Sequence, residues 1–345
     1  MQPICLAIDT TFDDTSVAIL KGHKEVLANL TLSQFKDHEA FGGVVPERAS
    51  RKHLEVIHPL ISESLKQSEL TFQEIDYFAV SHYPGLLGSL LVGVTVAKSL
   101  AYSLDKPIIG INHVESHPYA CFLSGAELTF PCLHLVVAGG HTLLMHARNH
   151  FDYQIVGRSL DDAAGECVDK VAKMFGHPMP GGPVVDGYAM QFSGEDFEFP
   201  KPLLKQKGFD FSFSGLKTAM LRFRQQNPEI LDQEGPILAA FFKSVCEVLV
   251  EKTFSAAESL GLNRVSVSGG LAASRKLKEV FTSESLQRGI DLHYPSPGLC
   301  TDNAAMVACL ASFRFEAGLK DDLHLEAYPN LISVSYTHLR AHETR

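Results

Sequence analysis

The chain opens with two runs of aliphatic and β-branched residues, CLAID at 5–9 and SVAIL at 16–20, around the polar centre TTFDDT. That pattern predicts strand, tight turn, strand. Residues 133–137 and 142–145 repeat it around the turn Ala138-Gly139-Gly140-His141. Two such hairpins about 130 residues apart suggest two related lobes, each presenting a turn to one cleft. Between them, apolar positions recur at helical spacing from Pro46 through Leu65, with Leu54, Ile57, His58 and Ile61 on one face. A short strand at 77–80 leads through a Pro84-Gly85 turn into a helical apolar run at 86–104, and Pro107 introduces a strand at 108–111. Strands and helices alternate, so the fold class is α/β. Further on, GHPMPGGPVVDG at 176–187 is dense enough in glycine and proline to be loop. Residues 236–261 predict a long amphipathic helix burying Leu238, Phe242, Val245, Leu249 and Phe254. A strand at 265–267 runs into Ser268-Gly269-Gly270 and a helix, and a last helix at 302–318 takes Asp302-Asn303 as cap and first turn. The final VSYTHLRAHETR, 334–345, turns basic and His-rich and reads as non-native read-through, outside the fold.

At 345 residues the chain is long enough for two lobes of ordinary size. Its 45% apolar and 20% charged residues are the balance of a soluble globular protein. The stretch 86–97 is too short and glycine-rich to span a bilayer, and MQPICLAIDTT has neither a basic start nor a long apolar run. A cytoplasmic protein with no membrane association is expected. Seven cysteines, Cys5, Cys121, Cys132, Cys167, Cys246, Cys300 and Cys309, are scattered without a Cys-x-x-Cys pair, as reduced thiols would be. The net charge of −10 argues against a free-standing nucleic-acid binder, so any RNA would need a local basic patch or a partner subunit. The densest basic stretch holds Lys201, Lys205, Lys207, Lys217, Arg222 and Arg224; another charged group, Glu47 to His53, opens a helix. A solvated face is the more usual explanation of either.

His113 and His117 in NHVESH share a face one turn apart if helical, which suits two imidazoles on one metal. An arbitrary pair at this spacing is more often two surface histidines, and Pro118 weakens the helix. Such a site needs a further ligand, preferably a carboxylate, and Asp302 qualifies only where the fold brings it near. Asp13 and Asp14, adjacent in the first turn, either deprotonate a nucleophile or are ordinary turn residues. Gly139-Gly140 and Gly269-Gly270 each follow a strand, where backbone N–H groups can approach phosphate without a Cβ in the way. Neither belongs to a Walker loop or a dinucleotide fingerprint. Two such turns in one α/β chain favour nucleotide binding.

Between about residues 4 and 330 the ordered motifs AIDTTFDDTSVAIL, FGGVVPERASRKH, PGLLGSLLVGVTVAKSLA, NHVESH, VAGGHTLL, LDDAAGECVDKVAKMFG, PGGP, FDFSFSGLKTA, SGGLAASR and CTDNAAMVA resemble the TsaD-type tRNA threonylcarbamoyladenosine transferases, once labelled O-sialoglycoprotein endopeptidases. The resemblance implies a two-lobed actin-like, sugar-kinase-like fold with nucleotide in the cleft. The N-terminal lobe would be 1–130, rejoined by a returning helix at about 303–330, and the C-terminal lobe 131–302. It implies iron or zinc held by His113, His117 and Asp302. The turn Val136, Val137, Ala138, Gly139 and Gly140, with Asp169, Gly182, Asp186 and Ser274, would bind the threonylcarbamoyl-adenylate. The implied reaction transfers threonylcarbamoyl to the N6 amine of the adenosine 3′ of the anticodon and releases AMP, with Asp13 or Asp14 accepting the amine proton. The implied partners are tRNA, a smaller TsaB-like paralogue and a TsaE-like ATPase. Some positions depart from the family pattern: Asp9 and Asp14 stand where it usually has Glu, Ala138 where it has Ser, Ser274 where it has Asn, and Asn112 precedes the first ligand in place of His. These departures imply a lowered rate or altered nucleotide contact. The rivals are a non-catalytic actin-like scaffold, a kinase of the same fold class, and a metalloprotease, whose H-E-x-x-H spacing is not met here.

Overall fold

The computed structural model describes residues 2–39, 41, 43–127 and 129–330; the segment 334–345 lies outside the described residues. Among the described residues, ten strands form two five-stranded sheets built on one plan. The first contains β1 (Ile4–Asp9), β2 (Asp14–Lys21), β3 (Glu25–Ser33), β4 (Tyr77–Tyr83) and β5 (Ile108–Asn112), in the order β3-β2-β1-β4-β5. The second contains β6 (Cys132–Ala138), β7 (His141–Asn149), β8 (Asp152–Arg158), β9 (Arg264–Ser268) and β10 (Asp291–His293), in the order β10-β9-β6-β7-β8. Each sheet places an apolar strand at its centre, antiparallel to the next strand in sequence and parallel to a later one. The expected repeat of a hairpin around a polar turn is therefore a repeat of whole sheets. Burial on both faces explains why β6 is apolar at every position but His134.

Helices Pro46–Gln67 and Leu87–Leu104 cover one face of the first sheet. Helix Ala304–Glu316 returns from the far end of the chain to pack on Cys5, Ala7 and Ala18 of the other face. In the second core, helix Glu234–Ser259 is buried almost all round. It is apolar on more than the single face expected, because helices Gly182–Gln191 and Arg275–Arg288 pack on it as well.

Three expectations need correction. On Pro46–Gln67 the buried line is Ala49, His53, Ile57, Ile61 and Leu65, while Leu54 is 63% exposed and His58 faces solvent. The line shifts because His53 is satisfied inside, by Thr15 Oγ1 at 2.7 Å and the Phe12 carbonyl at 2.9 Å. The glycine- and proline-rich segment is not all loop, since its second half starts helix Gly182–Gln191 with Pro183 in the first turn, where a missing N–H does no harm. The apolar run at 86–104 forms one continuous helix, Leu87–Leu104, of 18 residues, long and apolar enough by length and composition to cross a membrane. Here it packs between β4 and helix Pro46–Gln67.

Asp161 ties the loop after β8 to helix Ser214–Gln226. Its carboxylate accepts from the Phe213 and Ser214 N–H groups at 2.7 and 3.1 Å and from the Ser212 and Ser214 hydroxyls. Burial pushes its pKa up, but these donors outweigh burial and hold it below its ordinary 3.8. Asp161→Ala is expected to lower stability by about 1–2 kcal/mol, as loss of a helix cap does, read by urea unfolding at neutral pH. A depressed folded pKa contributes stability above the ordinary value and loses it on acidification. The gap between wild type and variant should therefore close as pH falls below 3.8.

Candidate functional site

Asn112, the last residue of β5, makes the metal-type pair of histidines possible. Its Oδ1 accepts from the Val114 and Glu115 N–H groups at 2.9 and 3.4 Å, starting the one-turn helix His113–Ser116. His117 and Pro118 continue in helical conformation, so the two imidazoles lie on one face with ring centroids 4.9 Å apart. Asn303, rather than Asp302, caps helix Ala304–Glu316 through the Met306 N–H at 3.1 Å, leaving Asp302 outside the helix. Asp302 therefore projects to the histidines. Its Oδ2 is 3.5 Å from His113 Nε2 and its Oδ1 is 3.5 Å from His117 Nε2.

These residues fit a divalent metal ion. One donor atom from each of His113, His117 and Asp302 lies within 4.8 Å of the others. Both ring nitrogens of His117 are buried without a hydrogen-bond partner among the described residues, which is costly for a structural histidine and natural for a ligand. Burial, with His113 close by, lowers the His117 pKa to about 4, so its imidazole is neutral as a ligand must be. Burial alone would raise the Asp302 carboxyl, but His113, His117 and His141 together hold it well below the usual carboxylate range.

Asp13 and Asp14 lie beside this triad. Burial and then Asp302 raise the Asp13 pKa; burial raises Asp14 to about 7 against a hydrogen bond from Ser33, with Asp302, Asp13 and Asp9 adding to it. Asp14 Oδ1 is buried without a hydrogen-bond partner among the described residues. Several carboxylates that discourage one another's ionisation form a place a cation would relieve. Asp13 also lines a cavity of about 380 Å³ between the segments 35–44 and 173–179, with Phe35, His38, Lys173, His177 and Met179.

The glycine turn is tighter than the sequence reading had it: Ala138 and His141 are paired strand ends, and only Gly139-Gly140 turn. Val136, Val137 and Ala138 are buried in β6, whereas Gly139 and Gly140 are exposed. Helix Ala164–Met174 begins beside this turn, with the Ala164 N–H on Thr142 Oγ1 at 2.9 Å. Gly269 (φ +96°) closes the other side, where an added Cβ would sit 2.6 Å from the Val137 carbonyl carbon. Backbone N–H groups and a helix start thus converge, as anion sites require.

The remaining candidates act on one another. Asp169 accepts from the Gly181 and Gly182 N–H groups at 2.7 and 3.3 Å, shaping the entry to helix Gly182–Gln191. Asp186 accepts from Ser274 Oγ at 2.6 Å, the Lys276 N–H at 2.9 Å and Arg275 Nε at 3.3 Å. Ser274 in turn caps Arg275–Arg288 through the Leu277 N–H at 3.0 Å. Serine serves there as well as the family's usual asparagine would, since both are good caps. The sequence reading missed His141, which opens β7 and feels both His113 and Asp302, with burial and then His113 lowering its pKa to about 4. Its place directly after the two glycines was the available signal. His38 and His177 of the cavity had none.

A family model described as TsaD: tRNA N6-adenosine threonylcarbamoyltransferase matches residues 25–309. Proteins named tRNA N6-adenosine threonylcarbamoyltransferase from Symbiobacterium thermophilum and Staphylococcus epidermidis are 47% and 43% identical to this chain. The matches span 96% and 95% of this chain and 97% and 96% of theirs. Among solved structures, full-length HypF in its phosphate- and nucleotide-bound form aligns with TM-score 0.60 at 15% identity, over 92% of this chain and 56% of that one. Component A of the Acidaminococcus fermentans (R)-2-hydroxyglutaryl-CoA dehydratase aligns with TM-score 0.55 at 14% identity, over 92% and 99%. At such identities the structural matches speak for the fold alone, which is the two-lobed actin-like one. Sequence identity of this extent along almost the whole length does more: the chain belongs to the TsaD family, the tRNA N6-adenosine threonylcarbamoyltransferases.

Proposed function

We propose that this transferase moves the threonylcarbamoyl group from threonylcarbamoyl-AMP to the N6 amine of the adenosine 3′ of the anticodon, in tRNAs reading codons that begin with A, and releases AMP. The observation that carries the reading is the placement of Asp13, which borders both the His113–His117–Asp302 cluster and the cavity between the segments 35–44 and 173–179. An aromatic amine is a poor nucleophile and a carbamoyl carbon a poor electrophile, so both partners need activation. Iron or zinc on His113, His117 and Asp302 would supply Lewis-acid polarisation of the carbamoyl oxygen. The Gly139-Gly140 turn and the start of helix Ala164–Met174 bind the adenylate phosphate, and Asp169 and Asp186 keep the loop at 181–182 and the Ser274 cap in place around it. The acceptor base enters the cavity, and Asp13 takes the proton from its amine.

Asp13→Asn is expected to lower the transfer rate by about 10²–10⁴-fold with metal content retained. An unchanged rate in both Asp13→Asn and Asp14→Asn would remove the general-base role from this pair. A smaller TsaB-like paralogue and a TsaE-like ATPase complete the system and supply the basic surface that a net charge of −10 withholds. The reaction is placed in the cytoplasm, in keeping with seven cysteines that are all free and buried. A protease role is disfavoured because Glu115 is held by Asn112 Nδ2 at 2.9 Å. The deciding experiment incubates the chain and both partners with threonine, bicarbonate, ATP and unmodified tRNA, followed by nucleoside analysis. Threonylcarbamoyladenosine that vanishes with His113→Ala/His117→Ala supports the reading. Its absence, with partners active on another transferase, moves the scaffold reading to first place.

A further inference from the structure

We infer that Asp9 is a positioning residue of the metal centre, holding His113 in the one tautomer and orientation that offers Nε2 to the ion; this rests on the metal reading above. Asp9 ends β1, in the middle of the first sheet, and is 2% exposed. Its Oδ2 lies 2.8 Å from His113 Nδ1, and His113 itself is 1% exposed. The other carboxylate oxygen, Oδ1, accepts from the Thr11 N–H at 3.2 Å, so the side chain is held from its own turn. A carboxylate oxygen accepts, so the proton of that contact belongs to Nδ1. That leaves Nε2 to face Asp302, 3.5 Å away, and the space shared with His117, where it would offer its lone pair to an ion. The Phe12 ring lies 6.2 Å from that of His113 in an edge arrangement.

The asymmetry between the two histidines carries the inference. His117 has no hydrogen bond at either nitrogen among the described residues, whereas His113 has a buried carboxylate on the nitrogen that faces away from the cluster. A carboxylate at the end of an apolar core strand is costly unless it is paired, and beyond its own turn its partner here is the ligand. Carboxylate, imidazole and metal in series is the arrangement by which proteins orient a ligand and raise its basicity. Asp9 is one methylene shorter than the glutamate usual in the family, yet still makes the contact at 2.8 Å.

The test uses the full chain, with Zn²⁺ affinity measured by chelator competition and the visible spectrum of the Co²⁺-loaded form. Asp9→Ala is expected to weaken Zn²⁺ binding about 10–100-fold and to shift the Co²⁺ bands, with Asp9→Glu restoring most of both. Asp161→Ala, remote from the cluster, should lose stability without moving either readout. Unchanged affinity and spectrum in a folded Asp9→Ala overturn the inference and leave the metal reading standing. A wild-type chain that holds neither ion overturns both. Should Asp9→Ala fail to fold, ¹⁵N shifts of the imidazoles in the Zn²⁺-loaded wild type decide: a protonated Nδ1 with metal on Nε2 of His113 supports the role, and the opposite tautomer overturns it.

Discussion

Asp302→Ala is expected to strip the metal from the purified chain and to lower transfer by at least about 10³-fold, the several kcal/mol that a Lewis acid supplies. The two imidazoles remain, and without the carboxylate they lack both the third donor and the charge that balances a divalent ion. Metal analysis and nucleoside analysis of the same preparation check the two halves separately; full activity with no metal bound would sink the proposed chemistry. The wild type should also show a defined pH dependence of metal affinity. Burial works against protonation of His113, but Asp9 and Asp302 overcome it and raise its pKa well above the ordinary 6.5. The metal-free cluster thus favours a proton on His113, and that proton must leave for Nε2 to bind. Affinity should fall as pH falls, by about one log unit per pH unit for one displaced proton. His117, lowered to about 4, adds no second proton above that pH. A flat profile between pH 6 and 8 in chelator competition would contradict this assignment.

Gly269→Ala is expected to cost about 2–4 kcal/mol of stability and to weaken nucleotide binding about tenfold or more. The residue combines φ +96° with backbone so close that a Cβ would meet the Val137 carbonyl carbon at 2.6 Å and the Ala138 nitrogen at 2.7 Å. Neither neighbour is a flexible side chain, so the clash is relieved only by moving the end of β6 and with it the Gly139-Gly140 turn. Gly140→Ala is the matched control, since its Cβ meets nothing within 4 Å. Gly140→Ala should unfold within about 1 kcal/mol of wild type and affect only ligand affinity. Urea unfolding and calorimetric titration with AMP distinguish the two. Equal stability of both variants would show that β6 and β9 can separate more easily than their contact implies.

Much of the frame was legible because its causes are local. Runs of aliphatic and β-branched residues marked β1, β2, β6 and β7, and the glycines marked the Gly139-Gly140 turn, since strand pattern and turn chemistry depend on neighbours in sequence. The edge strands β3 and β8, half polar because one face meets solvent, carried too weak a pattern to be read. The same limit hid the true face of helix Pro46–Gln67: a buried histidine reads as polar until its partners Thr15 and Phe12 are in place. The density of glycine and proline at 176–187 announced a break without saying that Asp169, from another helix, would satisfy the N–H groups of Gly181 and Gly182.

For the site, the spacing of His113 and His117 was in the sequence, and so was the capping asparagine before them. That Asp302 completes the cluster, that Asp9 reaches His113 from β1, and that Asp13 borders both the triad and a cavity were decided by packing alone. The physical reason is one of range. Helix turns, caps and glycine conformations are set within a few bonds, whereas a metal cluster joins the ends of β1 and β5 to the start of helix Ala304–Glu316. Those three come together only once that helix has returned across the first sheet and buried its apolar face on Cys5, Ala7 and Ala18.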